Sequence, residues 1–125
     1  MPGVERAVPT EELVPISSLP NVVTEYLTRS QGDTPGTAKD LLTATATISD
    51  NGKLYDDDRG ITNFLEHASN EFDYTSTLVG AKQRGNLFTA VNRLDGNFPG
   101  GQAVLQYKFA LTDDHRAIEE LRIEF

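Results

Sequence analysis

The sequence contains no cysteine, so folding cannot rest on disulfides, and a thiol nucleophile or thiolate metal site is excluded. Positive charge is scarce: 11 lysines and arginines stand against 19 acids, a formal net charge of -8. Phosphate backbones and anionic lipid are bound mainly through clustered Lys and Arg, so neither nucleic acid nor membrane is expected as a partner. No apolar run approaches the ~18 residues of a membrane-spanning helix. The opening MPGVERAVPTEELVP mixes acids and prolines where a secretory leader needs a basic start and an unbroken apolar stretch, so a cytoplasmic location is expected. A glycine-rich phosphate loop and a serine nucleophile elbow are also missing.

What is present suffices for one domain. A chain of 125 residues with 38% apolar and 24% charged side chains can bury a single core and lies far from the composition of disordered proteins. Residues 1–17, with Pro2, Pro9 and Pro15, hold no sustained period and read as an arm that the fold does not need. The folded part is expected over residues 18–125. Ser18 is placed to cap a first helix with Pro20 in its first turn and an apolar stripe at Val22, Val23, Tyr26 and Leu27. A short helix through Leu41 and Leu42 then feeds a strand from Ala44 to Asp50, where Ala44, Ala46, Ile48 and Asp50 alternate onto one face. Asn51-Gly52 turns the chain, Asp56–Gly60 reads as a polar loop, and a third helix is expected from Ile61 to about Phe72.

Three long strands follow over 73–84, 86–96 and 102–112, joined as hairpins, and a last strand covers about 117–125. Ile118 is out of phase with Leu121, Ile123 and Phe125, which predicts a β-bulge near Glu119-Glu120.

Three residues carry the chemistry this sequence offers. Asp50, at the end of an apolar face, is a candidate general base, because desolvation makes a carboxylate harder to ionise and readier to take a proton. Its plainer role is the first residue of an Asp-Asn-Gly turn. Tyr26 and Tyr107 are candidate hydroxyl donors to a developing oxyanion, or else core aromatics with a bonded hydroxyl. Phe64, Phe72, Phe88, Phe98, Leu105 and Phe109 are candidate walls of a pocket for a flat apolar ligand, with core packing as the alternative for each. His67 and His115 read as exposed or hydrogen-bonded side chains, and Asp56-Asp57-Asp58 as a solvated run without calcium-loop spacing. No metal and no cofactor is expected.

The phrases Leu19-Pro20-Asn21-Val22-Val23-Thr24-Glu25-Tyr26, Ala46-Thr47-Ile48-Ser49-Asp50-Asn51-Gly52, Gly96-Asn97-Phe98-Pro99-Gly100 and Leu105-Gln106-Tyr107-Lys108-Phe109, in this order, carry a resemblance. Over residues 19–125 the chain resembles the nuclear transport factor 2-like superfamily, particularly its SnoaL-like polyketide cyclase branch. The resemblance implies an α+β fold: a cone-shaped, curved, mostly antiparallel sheet around three helices, enclosing a pocket. The layout is also similar to the ketosteroid isomerases, whose helix tyrosine and proton-shuttling aspartate fall at Tyr26 and Asp50. That family's second acidic donor falls at Tyr107. The implied function is binding, with isomerisation, cyclisation or hydration by acid-base chemistry, of a small hydrophobic metabolite; the alternative is a non-catalytic binding or dimeric assembly module. Relatives of this kind commonly pair across the outer sheet face, here Thr75, Thr77, Val79, Thr89 and Val91, so a homodimer is expected.

Overall fold

In a computed structural model, which describes residues 11–67 and 74–125, the chain lays down seven strands. They are β1 (Glu12–Val14), β2 (Leu42–Asp50), β3 (Lys53–Tyr55), β4 (Tyr74–Arg84), β5 (Leu87–Gly96), β6 (Gln102–Leu111) and β7 (Ile118–Glu124). The helices are α1 (Asn21–Ser30), a seven-residue 3-10 helix (Pro35–Leu41) and α2 (Asp58–His67), with a single 3-10 turn at Ile16–Ser18 before α1. All strands belong to one open, curved sheet of order β1-β4-β5-β6-β7-β2-β3. Every neighbouring pair is antiparallel except β2 with β7. The α+β cone expected from the sequence is therefore the fold observed.

Alternation sets which face is buried. On β6, Tyr107, Phe109 and Leu111 point to the helices, while Gln102, Val104 and Lys108 point outward. Register extends this face across the whole sheet. Val14, Ala81, Ala90, Tyr107, Ile123 and Asp50 are successive cross-strand partners from β1 to β2, with Gln83, Phe88, Phe109, Leu121 and Ile48 forming the next row. Val22, Val23, Tyr26 and Leu27 of α1 and Ile61, Phe64 and Leu65 of α2 close over these rows and complete the core. Arg29 donates to the Thr37 carbonyl at 3.1 Å, and Lys39 pairs with Asp58, so polar contacts link α1, the 3-10 helix and α2 in series.

Several local expectations are corrected. Ser18 does not cap α1: its hydroxyl donates to the Pro15 carbonyl at 2.7 Å and closes a 3-10 turn, and the N-cap position is taken by Pro20. Ala44 is exposed instead of facing the core, because the β2–β7 register shifts between Leu42 and Thr47 and resets the alternation. Between the Asn51-Gly52 turn and the polar loop at Asp56, where no element was expected, lies β3, paired with β2 through a two-residue turn in which Asn51 (φ 49°) and Gly52 (φ 92°) both adopt the left-handed conformation. The third helix starts at Asp58, three residues before its expected start; its expected end at Phe72 lies outside the described residues.

Within the segment read as an arm, β1 adds a strand to the free edge of β4, and Val14 packs on the core. Glu11 accepts a 2.9 Å hydrogen bond from Thr89 and lies 3.8 Å from Lys108. Of the five outer-face residues expected at a dimer contact, Thr75, Thr77 and Val79 are exposed and Val91 is half-buried, but Thr89 is fully buried. The predicted bulge in β7 is present: Ala110 pairs with Glu120 and Leu111 with Ile118, leaving Glu119 as the extra residue. Among the described residues no helix is long and apolar enough to cross a membrane.

Candidate functional site

Asp50 reaches its place through the β2–β3 turn and the parallel pairing with β7. Its cross-strand partners are Lys53 and Ile123, and the next backbone N–H, that of Asn51, donates to the Ile123 carbonyl at 2.9 Å. That donor is therefore engaged in holding the strand end. Asp50 follows the fully buried Ile48 on the same face and is itself half-buried. Ile123 also pairs with Tyr107, so Asp50 and Tyr107 stand one strand apart on the concave face of the sheet.

Tyr26 descends from α1 onto this row. Its ring meets Phe109 edge-on at 5.4 Å, and Phe109 in turn stacks near Tyr107 at 6.4 Å. Both contacts fall within the range for favourable aromatic pairs. Tyr26 is 1% exposed and Tyr107 9%. Burial drives the ionisation of both hydroxyls far above the ordinary phenol range. Smaller contributions come from neighbours: Tyr107 and Asp50 act on Tyr26, and Tyr74 and Asp50 act on Tyr107. Asp50 is thus within electrostatic range of both hydroxyls, on the concave side of the sheet that the ring contacts and the strand register define. Tyr74, at the head of β4, also ionises above its usual range because it is partly buried. It was not singled out in the sequence, although its place at the start of the alternation Tyr74, Ser76, Leu78 put it on the concave face.

The six candidate wall residues separate. Phe109 is fully enclosed and Phe88 nearly so, the latter with its ring edge-on to His115 at 5.1 Å. Phe64 is 8% exposed and lies 4.8 Å from the Tyr55 ring. These three are structural core. Leu105 is partly buried against the core, and Phe98 is half-buried in the β5–β6 hairpin. Phe72 lies outside the described residues.

The remaining polar candidates have local partners. His67 Nδ1 lies 2.8 Å from the Asn63 carbonyl, and His115 Nε2 lies 2.8 Å from Asn86 Oδ1. Asp57 accepts the Gly60 N–H at 2.6 Å at the start of α2, next to the Asp58–Lys39 pair. Among the described residues no group of three or more His, Asp or Glu side chains is arranged to hold a metal ion.

No protein-family model matches the chain, and no curated protein matches it in sequence. Solved structures do match. A candidate polyketide cyclase from Sinorhizobium meliloti is 20% identical, with a TM-score of 0.76 over 86% of this chain and 97% of that one. A protein with a ketosteroid isomerase-like fold from Catenulispora acidiphila, solved with trimethylamine, is 16% identical, with a TM-score of 0.72 over 86% and 87% of the two chains. A de novo designed protein is 19% identical, with a TM-score of 0.63 over 87% and 85%. A designed chain among the matches underlines that this architecture does not carry an activity with it. On the order of its elements, the pairing of its strands and these matches, the chain has the nuclear transport factor 2-like fold.

Proposed function

We propose that the concave site binds a small hydrophobic carbonyl compound and moves a proton on it, with Asp50 as the base and Tyr26 and Tyr107 as hydrogen-bond donors. The observation that supports this most is the convergence of one carboxylate and two hydroxyls on the buried side of the sheet. Asp50 takes a proton from the carbon beside the carbonyl, and the electron pair moves onto the carbonyl oxygen. The site's net charge stays the same during that step. The negative charge leaves the carboxylate and appears on the oxygen, where two hydroxyls that remain protonated can donate to it. Where the compound carries a double bond β,γ to the carbonyl, the enolate is a dienolate, and return of the proton to its γ carbon completes an isomerisation to the conjugated isomer.

A second reading, a binding module without chemistry, draws on the packing of Tyr26: at 1% exposure and edge-on to Phe109, it has the environment of a core residue. One experiment separates them. In D2O, the protein is mixed with 2-tetralone and hydrogen exchange beside the carbonyl is followed by proton NMR. Acceleration over buffer that disappears in Asp50→Asn, and falls roughly 100-fold in Tyr107→Phe, supports the catalytic reading. If Asp50→Asn exchanges as fast as the natural sequence, the base is not Asp50. Binding without acceleration leaves the second reading.

A further inference from the structure

We infer that a second binding site lies on the other flank of α1, between that helix and β4–β5, and takes a small neutral molecule with a hydroxyl or carboxamide head on an apolar body. A cleft of about 190 Å³ is present there, floored by Leu27, Leu78 and Asn92 and rimmed by Thr28, Gln31 and Ser76. At 3.6 residues per turn, Thr24, Thr28 and Gln31 project from the side of α1 away from Tyr26, and none of Asp50, Tyr26 and Tyr107 lines this cleft.

The floor contains an unmet hydrogen bond. Asn92 is 3% exposed, and its Nδ2 donates to Ser76 Oγ at 2.9 Å. Its Oδ1 has no hydrogen-bond partner among the described residues. Interchanging the amide's oxygen and nitrogen only moves the deficit to the other end, so one end of Asn92 stays unmet either way. Ser76 Oγ also receives Gln31 Nε2 at 3.4 Å, which occupies its lone pairs and leaves its own proton to give. The cleft thus places a hydroxyl donor at its surface and an unmet, buried acceptor beneath it, which an occupant reaches when Asn92 turns toward it.

An occupant's chemistry follows from this lining. No Lys, Arg, Asp or Glu lines the cleft, so nothing there would balance a charged ligand. A group that both donates and accepts, such as an alcohol or a primary amide, satisfies Asn92 and Ser76 together, and Leu27 and Leu78 take the apolar part. The volume suits such a molecule, since cavities of about 150 Å³ hold a benzene ring. The strand beside it is also irregular: the β4–β5 register shifts between Leu78 and Gly80, adding Val79 as a bulge next to the Leu78–Asn92 pair. Bulges re-aim side chains and are frequent beside binding sites. The site does not depend on Asp50, so Asp50→Asn leaves it intact.

The test is a protein-observed NMR titration with benzamide and benzyl alcohol as probes, and toluene and benzoate as apolar and charged controls. We expect saturable shifts of the Asn92 and Gln31 side-chain amides with both probes, and at least tenfold weaker binding of both controls. Asn92→Leu should lose at least tenfold in probe affinity while melting no lower than the natural sequence. Equal binding of toluene, absence of shifts with either probe, or undiminished binding to Asn92→Leu would each overturn the site. If Asn92→Leu does not fold, Ser76→Ala carries the same test, and unchanged probe affinity in that variant overturns the site equally.

Discussion

Phe109 is the residue on which both tyrosines lean. It is fully enclosed, meets Tyr26 edge-on and stacks near Tyr107. Phe109→Ala should therefore cost about 3–5 kcal/mol of stability by urea unfolding, the usual range for a buried phenylalanine. It should also disturb the ring resonances of both tyrosines; a loss under 1 kcal/mol would mean that the rings are supported from elsewhere. At this scale much of the Asp50 site was legible, because Tyr26, Asp50 and Tyr107 sit on faces that alternation and helical spacing assign one residue at a time. Asn92 carries a sequence signal of its own: Phe88, Ala90, Asn92 and Leu94 share one face of a strand, and an amide in that series is out of character. Leaving its carbonyl unpartnered costs on the order of 1–3 kcal/mol.

Elements were readable in proportion to their length. β4, β5 and β6 each run ten residues or more, so their period-two pattern survives local noise. β1 and β3 are three residues each, too short to show a period, and they exist because a longer strand offers them an edge. The β7 bulge was visible because Ile118 is large and out of phase, whereas the irregularity in β2 fell within an Ala/Thr run whose side chains are too similar to reveal a slip. The start of α2 offers a test of local chemistry. Replacing a helical glycine by alanine normally gains about 1 kcal/mol, but a Cβ on Gly60 would lie 2.8 Å from Asp57 Oδ1, the oxygen that caps the helix. Gly60→Ala should therefore gain almost nothing alone. In an Asp57→Ala background, itself destabilised by about 1 kcal/mol, the same change should recover most of the expected gain. Thermal melts of the two single variants and the double variant decide; additive effects would show that the cap and the methyl do not compete.

For the whole molecule, burying hydroxyls that resist ionisation makes stability depend on alkaline pH. Tyr26 and Tyr107 ionise in the folded chain far above their unfolded value near 10, so their contribution is fully present below pH 10 and is lost as pH rises beyond it. Each such group lowers the unfolding free energy by about 1.4 kcal/mol per pH unit in that window. Denaturant unfolding between pH 9 and 11 should show this fall, and Tyr26→Phe should make it shallower; an unchanged slope in the variant would mean that Tyr26 ionises while the protein is folded. The strand order has a consequence of another kind. β2, the first long strand, has its place in the sheet beside β7, so two neighbours in space are separated by residues 51–117 of the sequence. A chain emerging from the ribosome holds β2 and β3 without a seat until residues 118–124 appear, and closing such a distant pairing is slow because its loop entropy is spent before any contact forms. The nascent protein must therefore wait for β7, with β2 and β3 open meanwhile to whatever else in the cell can pair with a strand.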